Sequence, residues 1–399
     1  MWFRILLGVA LMIIVSTPCI SKGATIDETA IKILKGSPAF QSDIYSLESA
    51  YRNLKTESNL PDPELGGEYL VMPSDVDNRW TAELTWSVEW PGVYGARGKE
   101  ADKKFSKAGY EIHLRRMDAL MEIRDLLLDY IQHKQKLDLL EELNNNNDSI
   151  YRLARESSKG GEITILDLNK VRLEYANIRS ARASLLDEEL EITSSLSKIY
   201  GKDCSELLKE LILDFPEIVI PSDEIFSDIK NNAPSLKLAQ AEAEAAEQAI
   251  RVAKMEALPS LSIGYKHAFE DGMHFNGATF GISLPIFSSR GRQKAAKADI
   301  IDAQYRIEAG REEIDADVAM TIRRLQYIKN QIDELEPIMV SVDYNTQLLK
   351  AYRGGLLTLI EYISDRNYFT TAAMDLITMK YNAAKALMQL EKYRGLETL

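Results

Sequence analysis

Residues 81–90 read TAELTWSVEW. Ala82, Leu84, Trp86, Val88 and Trp90 take the even positions, and Thr81, Glu83, Thr85, Ser87 and Glu89 take the odd ones. Successive side chains of a strand point to opposite faces, so this unbroken alternation predicts a strand with one apolar and one polar side. The pattern returns 194 residues later, where Ala278, Phe280, Ile282 and Leu284 alternate with Gly277, Thr279, Gly281 and Ser283. Because the offset is even, the same parity is apolar in both places. Leu261, Ile263, Tyr265 and Phe269, alternating with Ser262, Gly264, Lys266 and Ala268, predict a hairpin partner for the second strand. Residues 66–72 offer a less regular partner for the first.

About ten residues is what a tilted strand needs to cross an outer membrane. Four strands are too few to close a membrane barrel, and an open sheet in lipid would leave its edge groups unpaired. If these strands span a membrane, several chains must share one barrel. On that reading Leu84, Trp86, Val88, Trp90, Phe280, Ile282 and Leu284 face lipid.

The same offset aligns much more than the strands. Pro91 meets Pro285, Gly160-Gly161 meets Gly354-Gly355, Thr164 meets Thr358, Asp167 meets Glu361, Arg172 meets Arg366 and Gly201 meets Gly395. A repeat of this length is too large for a solenoid unit and reads as a duplicated half-molecule. After each hairpin a long helical stretch is expected, from about Gly98 to Ser158 and from about Arg292 to Arg353, each with apolar residues near heptad spacing. Roughly 60 residues of helix would reach about 90 Å. Pro337 is expected to bend or break the second, and Asn144–Asn147 to weaken the first.

Each stretch ends in a Gly-Gly pair followed by Thr164 or Thr358, the residue types of a C-cap and the next N-cap. Return helices are expected over Leu166–Tyr200 and Leu359–Tyr393, with shorter helices over Ala30–Ser58 and Asp223–Ala257 preceding the hairpins. Two short helices stacked end to end would match one long one. The expected division is residues 24–201 and 223–399 as the two repeats, with residues 202–222, containing Pro216 and Pro221, connecting them.

The N-terminal MWFRILLGVALMIIVSTPCISKGA has one Arg, an apolar core from Ile5 to Val15 and then small residues, the pattern of a secretory signal over residues 1–23. Pro18 before Cys19 does not fit lipoprotein processing. The full chain has a net charge of −13, and removing Arg4 and Lys22 takes it to −15. That balance argues against nucleic acid as a partner. Cys204 would be the one remaining cysteine, and His113, His133, His267 and His274 lack the sequence spacing of a metal motif. The glycines at 92, 95 and 98 do not form a dinucleotide fingerprint. No nucleophile–base pair stands out, so no enzyme, cofactor or resident metal is expected.

Several segments together resemble the TolC family of outer-membrane efflux ducts. They are MEALPSLSIGY (255–265), GATFGISLPIF followed by SSRGR, the pair GGEITILDL (160–168) and GGLLTLIEY (354–362), and in the first half LPDPEL and VEWPGVYGARG. LPDPEL looks most similar to the cation-efflux branch. The resemblance implies a mainly α-helical fold with membrane β: long antiparallel helical hairpins form an α-barrel tunnel in the periplasm. Four strands from each of three chains form a 12-stranded barrel in the outer membrane of a Gram-negative bacterium. It implies a homotrimer, a periplasmic adaptor at the tips (Gly160, Gly161, Thr164, Gly354, Gly355, Thr358) and an inner-membrane pump of the resistance-nodulation-division type.

Family members often carry two aspartates after the second tip that narrow the tunnel. Here the first position is Glu361, and the second is Ser364 with Asp365 next to it. Glu361 and Asp365 are the expected pore gate, at i and i+4 on one helix face. The competing reading is a secreted coiled-coil structural or adhesive rod. It accounts for the helices and leaves the parity-matched hairpins unexplained. The sequence does not name the exported substrate.

Overall fold

In this computed structural model the described residues are 23–73, 78–221, 227, 229, 231–285, 289–341 and 344–394. The expected signal segment lies outside them except for Gly23. Two helices open the described chain, α1 (Ile26–Gly36) and α2 (Pro38–Thr56). A single helix was expected here. Ser37 interrupts it with an extended backbone, and its side chain accepts from the Phe40 N–H while Pro38 takes the first turn of α2.

Strands β1 (Glu64–Leu70) and β2 (Arg79–Val88) follow. Helix α3 (Pro91–Lys159) is 69 residues long, roughly 100 Å. It starts seven residues before the expected Gly98, because Pro91 needs no N–H in the first turn and so sits there without loss. The backbone stays helical through Asn144–Asn147, where weakness was expected: a poor helix former costs only tenths of a kcal/mol per residue.

The rest of the chain repeats that order. Helices α4 (Ile165–Tyr200) and α5 (Ser205–Lys209) lead through the connection to α6 (Pro234–Met255). Strands β3 (Ser260–Glu270) and β4 (Met273–Ser283) come next, then helices α7 (Ser289–Ser341), α8 (Tyr344–Arg353) and α9 (Leu359–Arg394). Helix α7 runs through Pro337 as far as Ser341, so the expected break is not at the proline. Residues 342 and 343 lie outside the described set.

Helix α3 is the spine. Along its first half it packs against α2 and α1, and along its second half against α4. The contacts fix the heights: Lys55 Nζ reaches Asp102 at 2.8 Å, buried Asp43 receives Arg115 at 2.9 Å, and Arg182 reaches Glu141 at 3.0 Å. Short helices are therefore stacked end to end beside a long one. The second half does the same with α6 and α9 against α7. Apolar cores follow this arrangement. One joins α1, α3, α4 and the connection around Ile33, Leu127, Ile131, Leu196 and Leu208. Another joins α6, α7 and α9 around Leu236, Val318, Leu325 and Leu390. A third lies where the two helical tips meet.

All four strands form one antiparallel sheet in the order β1-β2-β3-β4. The two hairpins meet edge to edge, with Leu84 opposite Tyr265 and Trp86 opposite Ile263. The sheet sits at the end of the helical rod where α2, α3, α6 and α7 begin or finish.

Candidate functional site

Register decides which side chains share a face of the sheet. Leu65 pairs with Leu84, Leu84 with Tyr265, and Tyr265 with Ala278. Along the strands this places Leu84, Trp86, Leu261, Ile263, Phe280 and Ile282 on one side. Those six are exposed, Phe280 by 78% and Ile282 by 69%. On the opposite side a central patch of Thr81, Glu83, Thr85, Ser262 and Thr279 is half-buried, while Ser87, Lys266, Met273, Phe275 and Ser283 toward the ends are exposed. Burial is thus inverted relative to a water-soluble sheet, where the apolar face would be covered.

The polar face is also bonded within itself. Thr279 Oγ1 donates to Glu83 Oε1 at 3.2 Å, and Thr85 Oγ1 donates to the same oxygen at 3.3 Å. The Thr279–Glu83 contact crosses β3 above Gly264. A Cβ on Gly264 would lie 2.5 Å from Thr279 Oγ1 and 2.8 Å from the Leu84 carbonyl. Glycine here is what allows polar groups of β2 and β4 to meet.

Of the seven side chains expected to face lipid, Leu84, Trp86, Val88, Phe280 and Ile282 lie on the apolar side of strands. Val88 is half-buried. Trp90 and Leu284 fall just beyond the strand ends: Trp90 stands at the N-cap of α3, and Leu284 follows the last residue of β4. Both are exposed, at 45% and 60%. A proline follows each residue, and having no N–H for the ladder it cannot carry the pairing further. Trp86 is oriented by its own hydrogen bond, with Nε1 donating to the Pro61 carbonyl at 2.8 Å.

Where the sheet joins the rod, charged groups from both halves lock together. Arg97 on α3 contacts Glu89 and Glu256, each at 2.7 Å, and Arg292 on α7 contacts Glu256 at 2.8 Å. Burial disfavours charge on Glu256, but the hydrogen bonds from Arg97 and Arg292 outweigh it and hold its pKa below the ordinary carboxylate value. Arg97 is affected likewise: burial opposes its charge, and Glu256 and Glu89 overcome that and raise its pKa. These residues lie inside the quoted segments, yet nothing in the sequence paired them across 159 positions.

At the other end of the rod the two tips are built alike. Gly161 and Gly355 have φ of 77° and 72°, a region that L side chains rarely adopt. Gly160 and Gly354 close the preceding helices by donating to the Glu156 and Lys350 carbonyls at 2.9 Å. Thr164 caps α4, where its Oγ1 accepts from the Asp167 N–H at 3.1 Å. Thr358 caps α9, where its Oγ1 accepts from the Glu361 N–H at 3.2 Å. Beneath the tips Ile150, Leu168, Leu359, Tyr362 and Ile363 form a shared apolar core. Arg366 is buried there with its guanidinium 5.8 Å from the Tyr362 ring centre.

Glu361 is exposed and its carboxylate returns the cap, accepting from the Thr358 N–H at 2.8 Å. That backbone bond, followed by the bond with the Thr358 side chain, lowers its pKa from the ordinary value. Asp365 is exposed one turn further along α9. A ring of like charges would push carboxylates the other way, and such a ring needs more than one chain. Within one chain Glu361 is a capping residue with its charge on the surface.

Residues 225–396 match the family profile described as outer membrane efflux protein. No curated protein matches the chain in sequence. Among solved structures, the fold superposes on a membrane protein from Pseudomonas aeruginosa with a TM-score of 0.77, covering 93% of this chain and 90% of that one at 15% identity. It superposes on the Campylobacter jejuni CmeC outer membrane channel with a TM-score of 0.76, covering 93% and 85% at 17% identity. For the Vibrio cholerae outer membrane protein VceC the TM-score is 0.73, with 93% and 96% covered at 15% identity. Likeness at these identities establishes the fold.

Proposed function

We propose that this chain, whose residues 225–396 carry an outer membrane efflux protein domain, is the outer-membrane channel of a tripartite efflux system. The observation that carries this is the sheet: an exposed band of large apolar side chains on one face, a half-buried polar patch at the centre of the other, and two open edges at β1 and β4. A sheet with an apolar outer face belongs in lipid, and in lipid its edges must be paired. Pairing β4 of one chain with β1 of the next closes the edges. Three chains supply twelve strands, the homotrimer that the family resemblance implies.

On this reading the helical rods line a periplasmic tunnel, and substrate passes through without catalysis or a bound cofactor. The segment 1–23 directs export, residues 24–201 and 223–399 act as equivalent halves, and residues 202–222 join them at mid-height. The tips at Gly160, Gly161, Thr164, Gly354, Gly355 and Thr358 are where a periplasmic adaptor docks, and an inner-membrane pump of the resistance-nodulation-division type feeds the duct. Glu361 and Asp365 ring its entrance. The coiled-coil rod reading is disfavoured because it gives a four-stranded sheet with an exposed apolar face nothing to do.

Arginine substitution tests the reading directly. An Arg on a lipid-facing midplane position costs about 2–4 kcal/mol. Leu84→Arg, in the middle of β2, is expected to abolish the heat-resistant oligomer in unboiled gels of the membrane fraction, and Ile282→Arg, next to the last residue of β4, to weaken it. Thr85→Arg and Ser283→Arg, on the polar side, are expected to retain it. Equal tolerance on both faces would overturn the proposal.

A further inference from the structure

The chain has four histidines, and two of them meet at the end of the sheet furthest from the helices. His267 on β3 and His274 on β4 lie on either side of the two-residue turn Asp271-Gly272. His274 Nδ1 is 3.3 Å from His267 Nε2, and the rings are stacked 5.3 Å apart at 27°. Both belong to the register of the apolar face, although three or more residues from its aliphatic band. An apolar face has no structural need for two imidazoles.

We propose that His267 and His274 form a two-histidine chelate for a borderline transition-metal dication of the zinc, nickel or copper class. Three features of the geometry support this. First, two nitrogens bound at 2.0–2.1 Å to one tetrahedral ion stand about 3.3 Å apart. The separation here is 3.3 Å already, so only ring rotation is needed to turn both lone pairs on one ion. His274 is exposed to solvent, so an ion can reach the pair from outside.

Second, His267 is held in the tautomer a metal requires. Its Nδ1 lies 2.6 Å from Asn276 Oδ1, which also accepts from Tyr265 Oη at 2.7 Å. The Nδ1 proton is thereby committed to Asn276 and the Nε2 lone pair is left facing His274, the arrangement seen when an outer group orients a metal-binding imidazole. Third, the Trp80 ring packs 5.1 Å from His267 and Phe269 lies 5.0 Å from His274, restricting both rings to this corner. Among the described residues no group of three or more His, Cys, Asp or Glu could hold a metal, so the remaining coordination positions belong to water or an anion. Imidazole donors favour zinc, nickel and copper over calcium and magnesium, which prefer oxygen. Bound there, the ion ties β3 to β4 at the outer rim of the sheet. The site rests on the two side chains alone and stands whether or not the chain is a channel.

Calorimetric titration of the full mature protein, purified in detergent without a histidine tag, tests it. Saturable binding of Zn2+ and Ni2+ is expected at one ion per chain, with no response to Ca2+ or Mg2+. His267→Asn and His274→Asn are each expected to weaken it by more than tenfold, and Asn276→Ala by roughly tenfold through loss of the orienting bond. Electron paramagnetic resonance of bound Cu2+ should show two coupled nitrogens in the native protein and one in either histidine variant. Oligomer migration on unboiled gels checks that each variant has folded. Absence of saturable binding, or binding and nitrogen coupling unchanged in both histidine variants, overturns the proposal.

Discussion

Single residues at the tips separate folding from docking. Gly355 has φ of 72° with nothing within 4 Å of where a Cβ would stand, so the constraint there is backbone conformation and not space. A β-branched residue in the left-handed region costs roughly 1–2 kcal/mol, whereas Asn visits it readily. Gly355→Val is therefore expected to lower the melting temperature of the purified oligomer, and Gly355→Asn to leave it close to native. Export distinguishes the roles: if an adaptor seats on this backbone, Gly355→Asn keeps the oligomer and loses export of a reporter substrate. Retention of both would make the glycine a folding residue only. Thr358 gives a second check at this scale. Thr358→Ala removes the cap of α9 and is expected to cost about 1 kcal/mol in thermal unfolding, while Thr358→Ser retains it.

At the scale of elements, the junction between sheet and rod depends on Glu256. Its pKa is held below the ordinary value, so its contribution to stability is fully present above the unfolded carboxylate pKa of about 4.3 and is lost as pH falls through the lower folded value. Glu256→Gln leaves Arg97 with Glu89 alone and Arg292 without this partner. The expected cost is about 1–3 kcal/mol at neutral pH, shrinking toward zero under acid, as measured by denaturant unfolding at pH 7 and pH 3. A penalty independent of pH would mean that packing and not charge holds the junction. The strands, long helices and tips were legible in the chain because each follows from a local period or cap: alternation over 81–90, apolar spacing in α3, Gly-Gly then Thr at both tips. The Asp271-Gly272 turn is an equally local hairpin signal, and it fixes the β3–β4 register. What the sequence hid was long-range. The β2–β3 pairing, the Thr279–Glu83 bond over Gly264 and the Arg97–Glu256 staple join residues more than 150 positions apart, and no periodicity reports such contacts. The expected helix boundary failed where Ser37 caps a second helix within a stretch that reads as continuous.

At the scale of the whole molecule, the proposed trimer answers to what one chain leaves open. Among the described residues its sheet ends in two unpaired edge strands, β1 and β4. Native mass spectrometry of the detergent-solubilised protein is expected to give three chains. The proposed trimer would change the meaning of the acids at the tip. In a single chain Glu361 is lowered in pKa by the Thr358 backbone N–H, with Asp365 exposed one turn on. Three copies brought to the narrow end of a tunnel add like-charge repulsion, which opposes that effect and draws in cations. The charge and the cap can be separated, because Gln at the Glu361 position still accepts the Thr358 N–H while losing its charge. Glu361→Gln combined with Asp365→Asn should therefore leave folding and trimer mass unchanged. In planar bilayers the native channel is expected to lose conductance when divalent cations are added on the periplasmic side, and the double variant to lose much of that response. If conductance and divalent block are the same in both proteins, Glu361 serves α9 as a cap, and the entrance is set by other residues at the tip.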